Sequence, residues 1–550
     1  MGTGRDDVEH RLEQLAATRL SRRGFLGAAA LAGVLAACRD GDGDAGGDGG
    51  GGIRGGATGT TTSAVPELPV PELSGPAFTL GVASGDPLAD RVILWTRLAP
   101  DPIAGGGMPD QDVPVRWRVA TDEGMGDVVA EGTAVASPAW GHSVHVDATG
   151  LEPGTWYWYR FAVGDDESPV GRTRTAPAAG ATGETLRFAF ASCQNWESGY
   201  FVAYRHMAEE DLDLVVHLGD YIYEYGPGGY DPRLPDRRMT LEEPSDLLGY
   251  RNRYAFYKSD PHLQAAHARF PWLVTWDDHE VDNNYAGAID ENGTDPAEFL
   301  ARRAAAYQAY YEHLPVRVVP PDGPDLTLYR NIAWGGLADV FLLDTRQYRD
   351  DQACGAASDV GARCDEALEP ERTMIGAEQE RWLLDGLRAS EATWKVLGQQ
   401  TIMTEFSLLG LYNLDQWDGY PASRQRVLDM LAEVANPVVI TGDIHASAVG
   451  DLKADFADPA SAVVGTELVG TSITSPFPPD FAAAVAAALA GNPVVRYSEL
   501  EHHGYVRCEV DEERWRADYR FVDSIDDPDA AIVTAASFEI AAGRPGVVRV

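Results

Sequence analysis

Cys193, Asp220, Tyr223, Asp278, Asp443 and His445 are side chains that could share one chemical task, because each closely follows a short apolar run. Residues 188–191 lead into Ser192-Cys193-Gln194, and residues 214–218 into Gly219-Asp220-Tyr221-Ile222-Tyr223. Residues 272–276 lead into Asp277-Asp278-His279-Glu280, and residues 438–441 into Gly442-Asp443-Ile444-His445. Thiolate, phenolate and imidazole suit a transition metal, and phenolate suits a hard, highly charged ion such as ferric iron. Carboxylates suit calcium, magnesium or manganese. Cys193, Tyr223 and His445 make the first set, Asp278 and Asp443 the second. Asp220 can belong to both, since a carboxylate can bridge two ions. Two ions about 4 Å apart could clamp a phosphoryl group and activate a water between them. His279, next to Asp278, could donate to a phosphate oxygen or protonate a leaving group.

Runs this short, rich in β-branched and aromatic residues, read as buried strands. In open α/β sheets, ligands gather at the carboxyl ends of such strands. Taken singly, each residue has a plainer reading. An Asp after a strand often caps a helix, a Cys is often a buried thiol, and a Tyr usually packs. Their co-occurrence at four strand ends is what points to a site. His217, inside its run, reads as a core histidine.

The elements around these runs alternate. Residues 198–210, 295–313, 379–387 and 423–434 have helical spacing, and 338–343 and 394–397 read as further strands. This predicts an α/β layered domain over 179–525. Residues 75–178 read as all-β, with strands at 92–96 and 113–119. Leu151-Glu152-Pro153-Gly154 turns into the alternating aromatic run 155–161, which resembles the tyrosine corner of fibronectin type III and related sandwiches. A small sandwich domain with a scaffold role is expected there. Residues 526–550 are Ala-rich and weakly patterned, and read as a tail.

At 550 residues the chain is too long for a single core. Its formal net charge of −41 repels nucleic acid backbones and anionic lipid, and favours hard cations or simple solubility. An anionic substrate would need local positive charge from metals or arginine. Ser21-Arg22-Arg23-Gly24-Phe25-Leu26 opens an apolar stretch, 25–37, too short to span a bilayer. It resembles a bacterial twin-arginine signal. Leu35-Ala36-Ala37-Cys38 resembles a lipoprotein processing box, so residues 1–38 read as a signal and Cys38 as a lipidation site. An exported, surface or periplasmic protein that is lipid-anchored is expected. Residues 39–74 are a Gly, Asp, Thr and Pro-rich tether. In an oxidising compartment Cys354 and Cys364 could form a disulfide across their short loop. Cys508 reads as a buried free thiol.

The blocks Gly219-Asp220-x-x-Tyr223, Asp277-Asp278-His279-Glu280 and Gly442-Asp443-Ile444-His445 resemble those of metallophosphoesterases, especially purple-acid-phosphatase-like ones. Closer detail is similar to the PhoD-like alkaline phosphatase and phosphodiesterase family. It lies in Ser192-Cys193-Gln194, in residues 219–225, in Trp276-Asp277-Asp278-His279-Glu280-Val281-Asp282-Asn283-Asn284 and in residues 343–349. Residues 80–97 look like that family's N-terminal sandwich, and the resemblance runs from about 78 to 521.

The resemblance implies two β-sheets flanked by helices, preceded by a fibronectin-III- or Ig-like domain. It implies Fe3+ and Ca2+ as cofactors, with Cys193, Tyr223 and His445 toward iron. Asp220 bridges; Asp278 and Asp443 lie toward calcium; Asn283 offers a calcium oxygen. His279 would contact the substrate. The wider superfamily's extra histidine has no counterpart, since Gly398-Gln399-Gln400 occupies that region. Arg346 is the candidate phosphate clamp, because a guanidinium binds phosphate oxygens in pairs; its plainer reading is a salt bridge. The expected activity is hydrolysis of phosphate monoesters or diesters by metal-activated water, by an exported monomer that scavenges phosphate. Two alternatives are a phospholipase-D-like action on lipids and a non-enzymatic, calcium-binding surface protein. The thiol, phenol and imidazole argue against the latter, since calcium has no use for them.

Overall fold

The computed structural model describes residues 68–550 apart from 356–359 and 409. The signal, Cys38 and most of the tether lie outside the described residues. Two large sheets form the centre. In the ten-stranded sheet, Leu186–Ala191, Leu214–Leu218 and Pro271–Thr275 run side by side and parallel. In the seven-stranded sheet, Ala338–Leu342, Trp394–Gln399, Pro437–Thr441 and Val463–Val469 do the same.

The strands are apolar throughout because both their faces are covered. Phe188, Phe190, Val216 and Leu218 from the first sheet meet Val396, Val438, Ile440 and Leu468 from the second in one core. The outer face of the first sheet, with Ala189, Val215, Trp272 and Val274, packs against helices Val202–Glu209, Leu247–Lys258, Pro261–Arg269 and Pro296–His313. The outer face of the second, with Phe341, Leu397 and Val439, packs against Ala377–Ala389 and Pro421–Glu433. The layers are therefore helices, sheet, sheet, helices, which is an α/β fold. Pro296–His313 and Pro261–Arg269 begin alike. Asp295 and Asp260 accept backbone N–H bonds as N-caps, each followed by a proline.

The β-rich N-terminal segment is stitched into this body. Val82–Leu88, Arg91–Arg97 and Ser143–Thr149 extend the ten-stranded sheet, the first pairing in parallel with Pro271–Thr275. A second sheet, built on Val113–Ala120, Val128–Ala136 and Trp156–Val163, closes over them around Leu94, Val115, Tyr159 and Phe161. The hydroxyl of Tyr157 accepts from the backbone N–H of Glu152 at 2.8 Å, the geometry of a tyrosine corner.

Asp86 fastens the join. It is fully buried and accepts from Arg330 Nε and Nη2 at 2.8 and 2.7 Å and from the Arg317 backbone at 2.6 Å. Residues 526–550, read from sequence as a tail, instead supply strand Ile532–Ala541, paired antiparallel with Arg514–Val522. Alternating Ala and Thr carry little hydrophobic signal, yet Ala536, Phe538 and Ile540 bury against the sheet. No helix among the described residues is long and apolar enough to cross a membrane.

Candidate active site and metal centre

Three of the four motif strands end in a sharp turn whose pivot is a ligand-type residue. Cys193, Asp220, Asp443 and His445 all have left-handed backbones, with φ of 59°, 56°, 66° and 58°. Such conformations are unfavourable for side-chain-bearing residues and cluster where function demands them. Two glycines make the crowding possible. A Cβ on Gly219 would lie 2.5 Å from the Asp277 Cβ, and one on Gly442 would lie 2.5 Å from the Ser192 hydroxyl.

The turns converge. One ligand atom each from Cys193, Asp220 and His445 lies within 4.8 Å of the others. The Tyr223 hydroxyl joins them, 3.0 Å from Asp220 Oδ2 and 3.2 Å from His445 Nε2. The same spacing groups Asp277, Asp278 and Asp443, and also Asp220, Asp278 and His279. Asp220 and Asp278 therefore stand between the two sets. Asp443 and His445 are half-buried and mark the open side, beside the half-buried Tyr225 and Tyr230.

The donor set fits cations. Asp220 Oδ1, Asp278 Oδ1 and Asp277 Oδ2 are buried with no hydrogen-bond partner among the described residues. Lone carboxylate oxygens of this kind are costly unless a cation takes them. Burial, with Asp220 next, pushes the Cys193 thiol and Tyr223 phenol well above their ordinary pKa values. Burial lifts Asp443 to about 7 and lowers His445 to about 4, which leaves a neutral imidazole able to bind metal. A bound cation would favour the anionic form of each acid.

Side chains around the ligands hold this geometry. Glu280 accepts from the backbone N–H of Asp220, Tyr221 and Asp277, at 3.1, 2.6 and 2.8 Å, tying two strand ends together. Glu224 accepts from His279 Nδ1 at 2.8 Å. Burial lowers the His279 pKa, but Glu224, Asp278 and Asp220 outweigh it and raise it well above its ordinary value. The Tyr223 ring stacks on His279 at 4.1 Å. Pro476 O lies 3.1 Å from His445 Nδ1, which directs Nε2 toward Asp220 and Tyr223.

Arg346 is not placed as a phosphate clamp. It is fully buried, and its guanidinium donates to Asp277, to Asp415 at 2.9 Å and to Asp443 at 3.3 Å, with Asp278 at 3.6 Å. Four carboxylates occupy it, so it is the counter-charge beneath the acidic half. Asn283 donates its amide N–H to Glu291 at 2.7 Å. Gln400 bonds Thr275, Thr345 and Leu343, so a neutral amide fills the position where a third histidine was sought. Cys354 and Cys364 are joined as a disulfide, and Cys508 is a buried free thiol. His217 lies in the core, its pKa lowered by burial to about 3.

Asp277, Glu280, Glu224, Asp415 and Gln416, whose side-chain amide donates to Asp443, escaped the sequence reading. Asp277 and Glu280 lie inside a quoted motif, and the signal there was the run of three acids around His279. Asp415 and Gln416 lie in a loop far from the motifs, and nothing local singles them out.

The chain's similarities agree with this geometry. The PhoD-like phosphatase family matches residues 188–519, and the PhoD-like phosphatase N-terminal domain matches 63–177. Alkaline phosphatase D of Bacillus subtilis (strain 168) is 51% identical over 489 residues, covering 87% of this chain and 83% of that protein. The solved structure titled "Structure of PhoD" superposes with a TM-score of 0.84 at 50% identity, over 87% of this chain and 93% of that one. With both segments matched and the motif residues converging on one crevice, the chain belongs to the PhoD-like phosphatase family and is a phosphatase.

Proposed function

We propose that this phosphatase works with an iron–calcium centre on phosphate monoesters, diesters or both. The observation that carries this reading is the split donor set. Cys193, Tyr223 and His445 offer sulfur, phenolate and imidazole, while Asp277, Asp278 and Asp443 offer only carboxylates. Cys193, Tyr223, His445 and Asp220 would hold iron; Asp278 and Asp443, with Asp277 and Asp220, would hold calcium. Bound there, such a pair neutralises phosphoryl charge and makes water nucleophilic at moderate pH.

The chain's own groups supply the rest. Glu224 keeps His279 oriented through Nδ1, so Nε2 can donate to a phosphate oxygen or to the departing alcohol. Arg346 offsets the negative charge of the carboxylates from below. Tyr225 and Tyr230, stacked at 5.7 Å, wall the mouth and limit water. The two large sheets with their shared core support the metallophosphoesterase sandwich that the motifs imply.

The twin-arginine pattern and Cys38 support export and a lipid anchor, which suits phosphate scavenging outside the cell. The test is phosphate release from an aryl phosphate with and without calcium, alongside Asp220→Asn. The variant should lose at least ~100-fold in rate. Full activity in Asp220→Asn would sink the reading. A tyrosinate-to-iron absorption band in the purified protein is its spectroscopic companion.

A further inference from the structure

We infer that Ser475 is a positioning residue that sets how strongly Tyr223 donates to iron, with Ser192 playing the same part for Cys193. The inference rests on the iron half of the reading above. Ser475 is fully buried, in the loop that follows strand Val463–Val469. Its Oγ lies 2.6 Å from the Tyr223 hydroxyl and 2.9 Å from the Cys193 carbonyl oxygen, and it accepts from the Asn195 backbone N–H at 3.2 Å.

A serine hydroxyl has one hydrogen to give. Asn195 already fills one of its lone pairs, so that hydrogen must choose between Tyr223 and the Cys193 carbonyl. As a neutral phenol, Tyr223 can spend its own hydrogen on Asp220 Oδ2 at 3.0 Å. As an anionic ligand it has only lone pairs, and a charge-assisted bond is stronger than one to a neutral carbonyl. The Ser475 hydrogen then turns to Tyr223. The second pair follows the same logic. Cys193 Sγ lies 3.1 Å from Ser192 Oγ. A thiolate can only accept, so the hydrogen there runs from serine to sulfur.

Each donated bond withdraws electron density from an anionic ligand. It also fixes the ligand's direction, because Ser475 ties the turn after one motif strand to the turn after the next. The neighbouring Pro476 carbonyl orients His445. One dipeptide thus touches three of the four residues of the iron half, which is the arrangement expected of outer groups that tune a metal.

The experiment compares wild type, Ser475→Ala, Ser475→Thr and Ser192→Ala, each purified with its metals. It reads the visible absorption and the iron retained against a chelator. In Ser475→Ala the phenolate becomes a stronger donor, so the tyrosinate-to-iron band should move to longer wavelength. Iron retention should nevertheless weaken about 10-fold, because the bond that fixes the ligand's direction is gone. Ser475→Thr keeps the hydroxyl and should keep the wild-type band. Ser192→Ala should leave the tyrosinate band in place and shift the sulfur-to-iron absorption, which tests the idea even if Ser475→Ala folds poorly. A coloured wild type with an unshifted band in Ser475→Ala, or an unchanged sulfur band in Ser192→Ala, overturns the inference. A colourless, iron-free wild type overturns the iron reading beneath it.

Discussion

Arg346 shows how residue type and residue role separate. An arginine in a motif that resembles a phosphatase family's invites a phosphate-binding role, yet its donors end on Asp277, Asp415 and Asp443. A clamp and a counter-charge respond differently to Arg346→Lys. Lysine keeps the charge but loses the planar fork, so the buried carboxylates would be left partly unpaired. The expected result is a loss of about 2–3 kcal/mol in stability, read by chemical denaturation. The KM for an aryl phosphate should change little. A large rise in KM at unchanged stability would restore the clamp. The convergence of Cys193, Tyr223 and His445 was legible, because a thiol, a phenol and an imidazole at strand ends have few other uses together. Their partners were not. Asp415 gains its role only by facing Arg346, 69 positions away in the chain.

At the scale of elements, short apolar runs became buried parallel strands, and helices Pro296–His313 and Pro421–Glu433 fell within a few residues of their expected places. The join between the N-terminal segment and the catalytic body was not legible. Sheet continuity depends on which edges meet, and an edge leaves no periodic mark on the sequence. Asp86 is the fastening there, held by Arg330 and by the backbone of Arg317. Asp86→Ala should therefore strip the partly buried Arg330 of its carboxylate partner and destabilise the protein by about 3 kcal/mol. Lower urea resistance of the whole body, rather than of the N-terminal segment alone, would be the signature. If Asp86→Ala unfolds at the wild-type urea concentration, the join does not depend on this pair.

At the scale of the whole molecule, the centre gathers acids that burial disfavours as anions. Burial lifts Asp443 and Glu280 to about 7 and Asp282 to about 8, and lifts Asp220 and Asp277 well above the usual carboxylate range. Asp278 goes the other way, because Arg346 and His279 outweigh its burial. Stripped of metal, these five acids bind more protons in the folded chain than in the unfolded one between about pH 4 and pH 7, so their contribution to stability falls as pH rises through that window, while histidines such as His217 and His445, lowered by burial, pull the other way. His279, raised well above its ordinary value, adds to the same slope. Calcium should therefore raise the melting midpoint of chelator-treated protein more at pH 8 than at pH 5, because at pH 8 it takes the place of protons that no longer compete. A calcium-induced shift no larger at pH 8 than at pH 5 would contradict this account.

Sequence alone determined which donor types gather and the layered class. Ligand preferences depend on atom type, and buried parallel strands need unbroken apolar runs, so both are written locally. The tertiary structure decided what each charged residue faces. It made Arg346 a counter-charge, paired the Asn283 amide with Glu291, brought Glu280 under two turns and set Ser475 against Tyr223. Those roles come from contacts between segments far apart in the chain, and such contacts exist only once the sheets have packed.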